Sequence, residues 1–140
     1  MTSKAADARR AYETPVVPVS WGELVDKITI LEIKHARIHS PAALGNIGRE
    51  LRQLLAIAGQ NITRDPEIGE LRQALKLINE SLWDVEDNIR ELEAKRQFDQ
   101  AFIDLARSVY KLNDERARTK QRINSCTASE LVEEKSYSAF

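Results

Sequence analysis

The stretch that decides the fold is residues 65–92, DPEIGELRQALKLINESLWDVEDNIREL. Its apolar residues recur at alternating steps of three and four, which is the period of one face of an α-helix. Asp65 followed by Pro66 is a typical helix start, because the aspartate can cap the first turn and proline lacks an N–H that would go unused there. The stretch therefore predicts one long helix with coiled-coil-like packing.

Two more helices are predicted before this one. Ser20 and Glu23 form a capping box at the start of the first helix, whose broad apolar surface suggests a central position with neighbours on several sides. Ser40 followed by Pro41 gives the start signal of a second helix, which ends near Asn61. All three predicted starts thus rest on the same chemistry, an oxygen-bearing side chain that accepts a hydrogen bond from a free backbone N–H.

A fourth helix is predicted from Phe98 onward, with Phe98 facing inward at the start of its apolar stripe. Thr127 and Glu130 make a further capping box, which predicts a short C-terminal helix. The expected fold class is all-α: a four-helix bundle or paired helical hairpins with coiled-coil-like packing and that short C-terminal helix.

The length, charge and cysteine content of the chain limit the classes of protein to which it can belong. The chain has 140 residues, with 21 basic and 22 acidic side chains. We expect one helical domain at residues 20–140, preceded by a disordered or extended segment at residues 1–19 that lacks an apolar period. The near balance of charge argues against nucleic-acid binding, and the absence of a long apolar run predicts no membrane span. A single cysteine, Cys126, suits a cytoplasmic protein.

The long third helix also predicts association. At 1.5 Å per residue it would reach roughly 45 Å, which exceeds what the core of one small domain readily covers. The sequence therefore predicts a homodimer.

Most catalytic and cofactor signatures are missing from the sequence. No glycine pattern fits a phosphate-binding loop, and no serine or cysteine lies in a recognisable nucleophile motif. His35 and His39 have the spacing of a helical metal site, but no HExxH motif accompanies them. We therefore predict no metal site and no cofactor.

Polar side chains beside the apolar stripes are the candidate functional residues. Those of the third helix follow an i, i+3, i+4, i+7 series, so they share one flank, and those of the fourth helix form a similar group. Two interpretations stay open, a charge-paired network that fixes helix register or a polar cleft that binds a ligand or partner. The residues are Trp83, Glu86, Asp87, Arg90, Arg107, Tyr110, Asn113, Asp114 and Arg116.

Four segments together resemble a known family: VSWGELVDKITILEIKHARI, LWDVEDNIRELE, FDQAFIDLARSVYKLNDERARTKQRIN and SELVEEKSY. The family is one of short, all-helical bacterial and phage proteins of unknown function. The resemblance indicates which residues are characteristic of the family, but it implies no activity. It adds Lys135 and Tyr137 to the candidate residues, and its characteristic segments also contain Glu23, Asp26 and Glu133.

These observations favour a non-enzymatic helical binding or assembly module that recognises a protein partner or a small charged ligand between helices. The alternative is a small all-helical enzyme that acts on a charged metabolite. A second resemblance, to small helical chorismate mutases, implies that Lys27, Lys34 and Arg37 would supply cations to a dicarboxylate ligand.

Overall fold

The computed structural model describes residues 9–62 and 64–140, and no strand occurs among them. The helix α1 lies against each of the other three, as predicted, whereas α2 contacts α1 but neither α3 nor α4. The all-α prediction is therefore confirmed, in the form of two helical hairpins that meet through α1. The helices are α1 (Trp21–Arg37), α2 (Pro41–Asn61), α3 (Pro66–Ala94) and α4 (Gln100–Cys126).

The helices begin where side-chain caps satisfy the first backbone N–H groups. Ser20, Ser40 and Asp65 are the N-caps of α1, α2 and α3, as predicted. The cap of α4 is Asp99, so this helix begins after Phe98. The prediction that Phe98 faces inward is wrong, since it lies outside the helix with 57% of its surface exposed.

The predicted C-terminal helix is not formed. The Thr127 hydroxyl donates to the Ile123 carbonyl at 2.8 Å and so closes α4, where the prediction had it opening a new helix. Ala128 then adopts a left-handed φ of 48°, and the Ser129 N–H donates to the Asn124 carbonyl at 2.9 Å. This is the Schellman pattern that ends helices. Residues 129–140, here called the C-terminal segment, contain no helix or strand.

The core lies in one half of the molecule. Val25 of α1 packs with Leu71 and Leu75 of α3 and Ile123 of α4. By contrast, none of the residues of α3 and α4 from Glu80 to Thr119 is buried. We call this part the distal hairpin. The helix α1 reaches the near end of this hairpin, where Arg37 contacts Asp84 and Trp83. The predicted long helix is therefore present, but its apolar stripe stays partly exposed in the distal hairpin.

The N-terminal segment can be compared with its prediction only in part. Residues 1–8 lie outside the described residues, and residues 9–19 contain no helix or strand and have exposed side chains. The domain boundary at residue 20 stays a prediction. Within the described part of the chain, no helix has the length and apolarity needed to cross a membrane.

Gly22 lets α1 approach α4 closely. Its N–H donates to Asn124 Oδ1 at 2.7 Å, and a Cβ added there would lie 2.5 Å from the Lys120 carbonyl oxygen. Because that atom is backbone, Gly22→Ala would force the two helices apart. We expect this variant to lose about 1–3 kcal/mol of unfolding free energy, the range for overpacking.

Gly45→Ala is the matched control, because a Cβ at Gly45 in α2 meets nothing within 4 Å. Alanine favours a helix over glycine by roughly 1 kcal/mol, so this variant should gain stability. Urea denaturation of both variants measures the difference. Equal stability of Gly22→Ala and the wild type would contradict the close packing of α1 on α4.

Candidate ligand-binding site

A fully buried carboxylate, Asp26, lies on the face of α1 that packs against α4. Arg116 donates to both of its oxygens through Nε and Nη2, with Nε 3.0 Å from Oδ1. Asn79 of α3 donates to Asp26 Oδ1 and to Thr29 Oγ1, both at 2.9 Å. A buried charge is tolerated only when it is paired and hydrogen-bonded, and Asp26 meets both conditions.

Lys120 lies beside this pair and joins three parts of the chain. Its ammonium is 2.7 Å from Glu23 Oε2 of α1, 2.9 Å from Glu133 Oε2 of the C-terminal segment and 3.7 Å from Asp26 Oδ2. Burial alone would lower the pKa of Lys120, but the hydrogen bonds to Glu23 and Glu133 and the charge of Asp26 outweigh it and raise that pKa. The amine therefore stays protonated at neutral pH and is not available as a nucleophile.

Glu133 holds the C-terminal segment against α4. Hydrogen bonds from Lys135 and Lys120 lower the pKa of Glu133 to about 2. Farther along, the rings of Phe140 and Tyr110 meet edge to face, with centroids 4.9 Å apart. Since Glu133 contacts the C-terminal part of α4 and Phe140 an earlier turn, the segment runs back along the helix.

A cavity, called the larger cavity below, lies between α4, the start of α1 and the C-terminal segment. Its volume is about 790 Å³, within the range of small-molecule sites. Polar and aromatic side chains share its lining. Among them are six of the predicted candidates: Tyr110, Asn113, Asp114, Arg116, Lys135 and Tyr137.

A smaller cavity of about 470 Å³ lies between α1, α3 and α4. The flank predicted on the third helix lines it together with apolar residues such as Ile30 and Leu82. Asn113 and Arg116 line both cavities. The α3 candidates in this lining are Trp83, Glu86, Asp87 and Arg90.

The sequence-predicted residues are thus divided between two neighbouring cavities. Arg107 lines neither, and it donates instead to the Tyr110 hydroxyl at 3.3 Å. Among the described residues, the side chains of Glu86, Asp87 and Arg90 make no hydrogen bond or ion pair. A charge-paired network does exist between α1, α3 and α4, but it is centred on Asp26.

Sequence reasoning did not select Asp26, Asn79 or Lys120 as candidates. One local signal was available: Gly22, Asp26 and Thr29 follow one another at helical spacing on α1, so that a small and polar strip interrupts the apolar surface. A strip of this kind indicates contact with another polar element, although it does not say which one.

The structure also locates the two histidines considered as metal ligands and the three cations of the chorismate-mutase-like alternative. His35 and His39 are both exposed, and no cluster of His, Cys, Asp or Glu in residues 9–62 and 64–140 is arranged to hold a metal ion. Lys27, Lys34 and Arg37 line neither cavity. Arg37 instead pairs with Asp84 and lies 5.8 Å from the Trp83 ring centroid.

Residues 16–140 match a family of unknown function, DUF6165. The chain belongs to this family. The predicted resemblance to a family of unknown function is therefore confirmed. The DUF6165 match spans all four helices, the side chains that line both cavities and the C-terminal segment. Neither the curated proteins nor the solved structures gave a match to the chain.

The pKa of Glu133 leads to a pH-dependent prediction. Its folded-state pKa of about 2 lies below the ordinary value of 4.5, so its ion pairs stabilise the folded state above pH 4.5 and are lost as the pH falls toward 2. Glu133→Gln should therefore be less stable than the wild type at neutral pH, by about 1 kcal/mol or less because the group is partly exposed. The difference should shrink below pH 4.5.

Urea denaturation of wild type and variant between pH 7 and pH 2.5 measures this difference. Glu134→Gln is the control, since its exposed side chain should show no such pH dependence relative to the wild type. A Glu133→Gln difference that stays constant down to pH 2.5 would argue against the ion pairs.

Proposed function

We propose that this protein is a non-enzymatic helical binding module whose ligand, a small charged molecule, occupies the larger cavity. The observation that carries the proposal is the construction of this cavity. One side of it is lined by Arg116 and Lys120, which pair with the buried Asp26, and another side is a segment without secondary structure, attached through Glu133 and Phe140. A ligand in this cavity would contact side chains held by ion pairs on one side and the C-terminal segment on the other.

The charges of the cavity support binding over catalysis. General acid and base groups work best with a pKa near the operating pH. Here the pKa of Glu133 is lowered, whereas hydrogen bonds to their carboxylate partners raise the pKa values of Arg116 and Lys120. The chorismate-mutase-like alternative has less support, because the cations it would use lie outside both cavities.

Thermal denaturation with a metabolite library tests this proposal. At a concentration one hundred times Kd, a ligand stabilises the folded state by about 2.7 kcal/mol, which corresponds to several degrees in Tm for a chain of this size. Asn113→Ala should abolish the shift for any library member that binds in the cavity. Asn88→Ala is the control, because Asn88 is exposed on α3 and lines neither cavity. A library that leaves the wild-type Tm unchanged would count against the proposal.

We further propose that the distal hairpin pairs with a second copy of the chain. The specific observation is that α3 and α4 carry an apolar stripe from Glu80 to Thr119 without burying one residue of it. Over this region α3 has six acidic residues and one basic residue, whereas α4 has three acidic and four basic residues. A two-fold pairing that sets α3 of one copy beside α4 of the other would therefore join opposite charges over a shared apolar core.

Sedimentation equilibrium tests the homodimer. The wild type should have twice the chain mass of 15.9 kDa, and Leu82→Asp should reduce it to a monomer because it places an unpaired charge in the stripe. Leu77→Asp is the matched control, since Leu77 lies on α3 with 56% of its surface exposed and outside the distal hairpin. A monomeric wild type would reject this association.

A further inference from the structure

Three polar groups in the larger cavity have unused hydrogen-bonding capacity. Within residues 9–62 and 64–140, the side chains of Asn113 and Asp114 make no hydrogen bond or ion pair, although both are half-buried. Arg116 uses Nε and Nη2 for Asp26, which leaves its Nη1 group without a partner among those residues. All three side chains line the larger cavity within about one turn of α4, and Asn113 and Arg116 also line the smaller one.

These groups differ in what they can recognise. The Arg116 Nη1 group and the amide nitrogen of Asn113 donate hydrogen bonds, so together they suit a carboxylate. The Asp114 carboxylate only accepts, so it suits an ammonium group. One ligand that satisfies all three therefore carries both a carboxylate and an ammonium group.

The total charge of the lining favours the same conclusion. A doubly charged anion or cation would leave like charges unbalanced in the cavity, whereas a molecule of zero net charge would not. Carboxylates and cations occur in equal number, namely Glu23, Asp114 and Glu133 against Arg116, Lys120 and Lys135.

Aromatic side chains complete the lining. Tyr110, Tyr137 and Phe140 border the cavity beside Val109, and they supply a surface for the apolar part of a ligand. We propose that the larger cavity binds a small zwitterion with an aromatic or large apolar portion, such as a free aromatic amino acid or a dipeptide that contains one. This inference rests on the proposed ligand-binding function and names the class of ligand.

Isothermal titration with three matched probes tests the inference: phenylalanine, phenylalaninamide without the carboxylate, and N-acetylphenylalanine without the ammonium group. Tryptophan and the dipeptide of two phenylalanines extend the zwitterion set. We expect at least one zwitterion to bind, and removal of either charged group to weaken its binding at least tenfold, since each leaves a polar group of the cavity unpaired.

Two variants separate the cavity from the surface of α4. Asp114→Asn should weaken zwitterion binding at least tenfold and reduce the preference for phenylalanine over its N-acetyl form. Glu115→Gln, an exposed neighbour on the same helix that lines neither cavity, should bind like the wild type.

The outcomes distinguish the two proposals. Equal binding of phenylalanine and either of its modified forms would overturn the zwitterion inference and leave the small-ligand proposal standing. A second result would also overturn only the zwitterion inference. In that result no zwitterion binds, but another library compound raises the Tm of the wild type and does not raise the Tm of Asn113→Ala. If neither the probes nor the library produce binding, both proposals fail.

Discussion

Replacing Asp26 with alanine is expected to lower the free energy of unfolding by about 3–5 kcal/mol, the range for removing one partner of a buried ion pair. The carboxylate is fully buried, and Arg116, Lys120 and Asn79 all direct polar hydrogens toward it. Without it the partly buried guanidinium of Arg116 loses its only carboxylate partner among the described residues.

The control for Asp26→Ala is Asp84→Ala. Asp84 also pairs with an arginine, Arg37, but 63% of its side-chain surface is exposed. We expect this variant to lose about 1 kcal/mol or less, as exposed ion pairs do. Chemical denaturation of both variants at pH 7 compares them directly. If Asp26→Ala proves no more destabilising than Asp84→Ala, Asp26 is not the centre of the network.

The second large effect is expected for Leu75→Ala, which should lower the free energy of unfolding by about 2–5 kcal/mol. Leu75 has no exposed surface and packs with Val25, Leu71 and Ile123, so the shorter side chain leaves a cavity in the core. Leu92→Ala is the matched substitution, because Leu92 belongs to the same stripe of α3 but is only partly buried in the distal hairpin.

The two leucine variants also bear on association. In a monomer, Leu92→Ala should lower the free energy of unfolding by less than half as much as Leu75→Ala does. In the proposed dimer, its cost should grow with protein concentration, because dimerisation stabilises the folded chain by mass action. Denaturation at two protein concentrations tests both statements. A Leu75→Ala variant within about 1 kcal/mol of the wild type would contradict the position of the core.

Local signals in the sequence predicted most of the fold. The N-caps at Ser20, Ser40 and Asp65 depend on residues within one turn, so no knowledge of the tertiary structure was needed to find them. The end of α4 was different. Thr127 and Glu130 carry the spacing of a capping box, but a helix there would compete with the ion pair that Glu133 makes with Lys120. Tertiary contacts override local propensity in such cases.

For the candidate site, too, local spacing could be read from the sequence, whereas tertiary contacts could not. Helical spacing alone groups Trp83, Glu86 and Arg90 on one flank of α3, and these side chains line one cavity. Asp26 was not identified as a site residue because its partners are remote. Asn79 lies 53 residues away along the chain and Arg116 lies 90 residues away. Periodicity reveals which residues share a face and does not reveal which helices meet.

The remote pairing of Asp26 with Arg116 has a consequence for synthesis of the chain. At roughly 5–20 residues per second, the 90 residues between them delay the arrival of the arginine by about 5–18 s. During that interval the newly made α1 carries a carboxylate on a surface that it will later bury, and charge on such a surface opposes premature collapse. Of the four described helices, α1 is therefore the first to be translated, whereas the partner of its buried carboxylate belongs to the last.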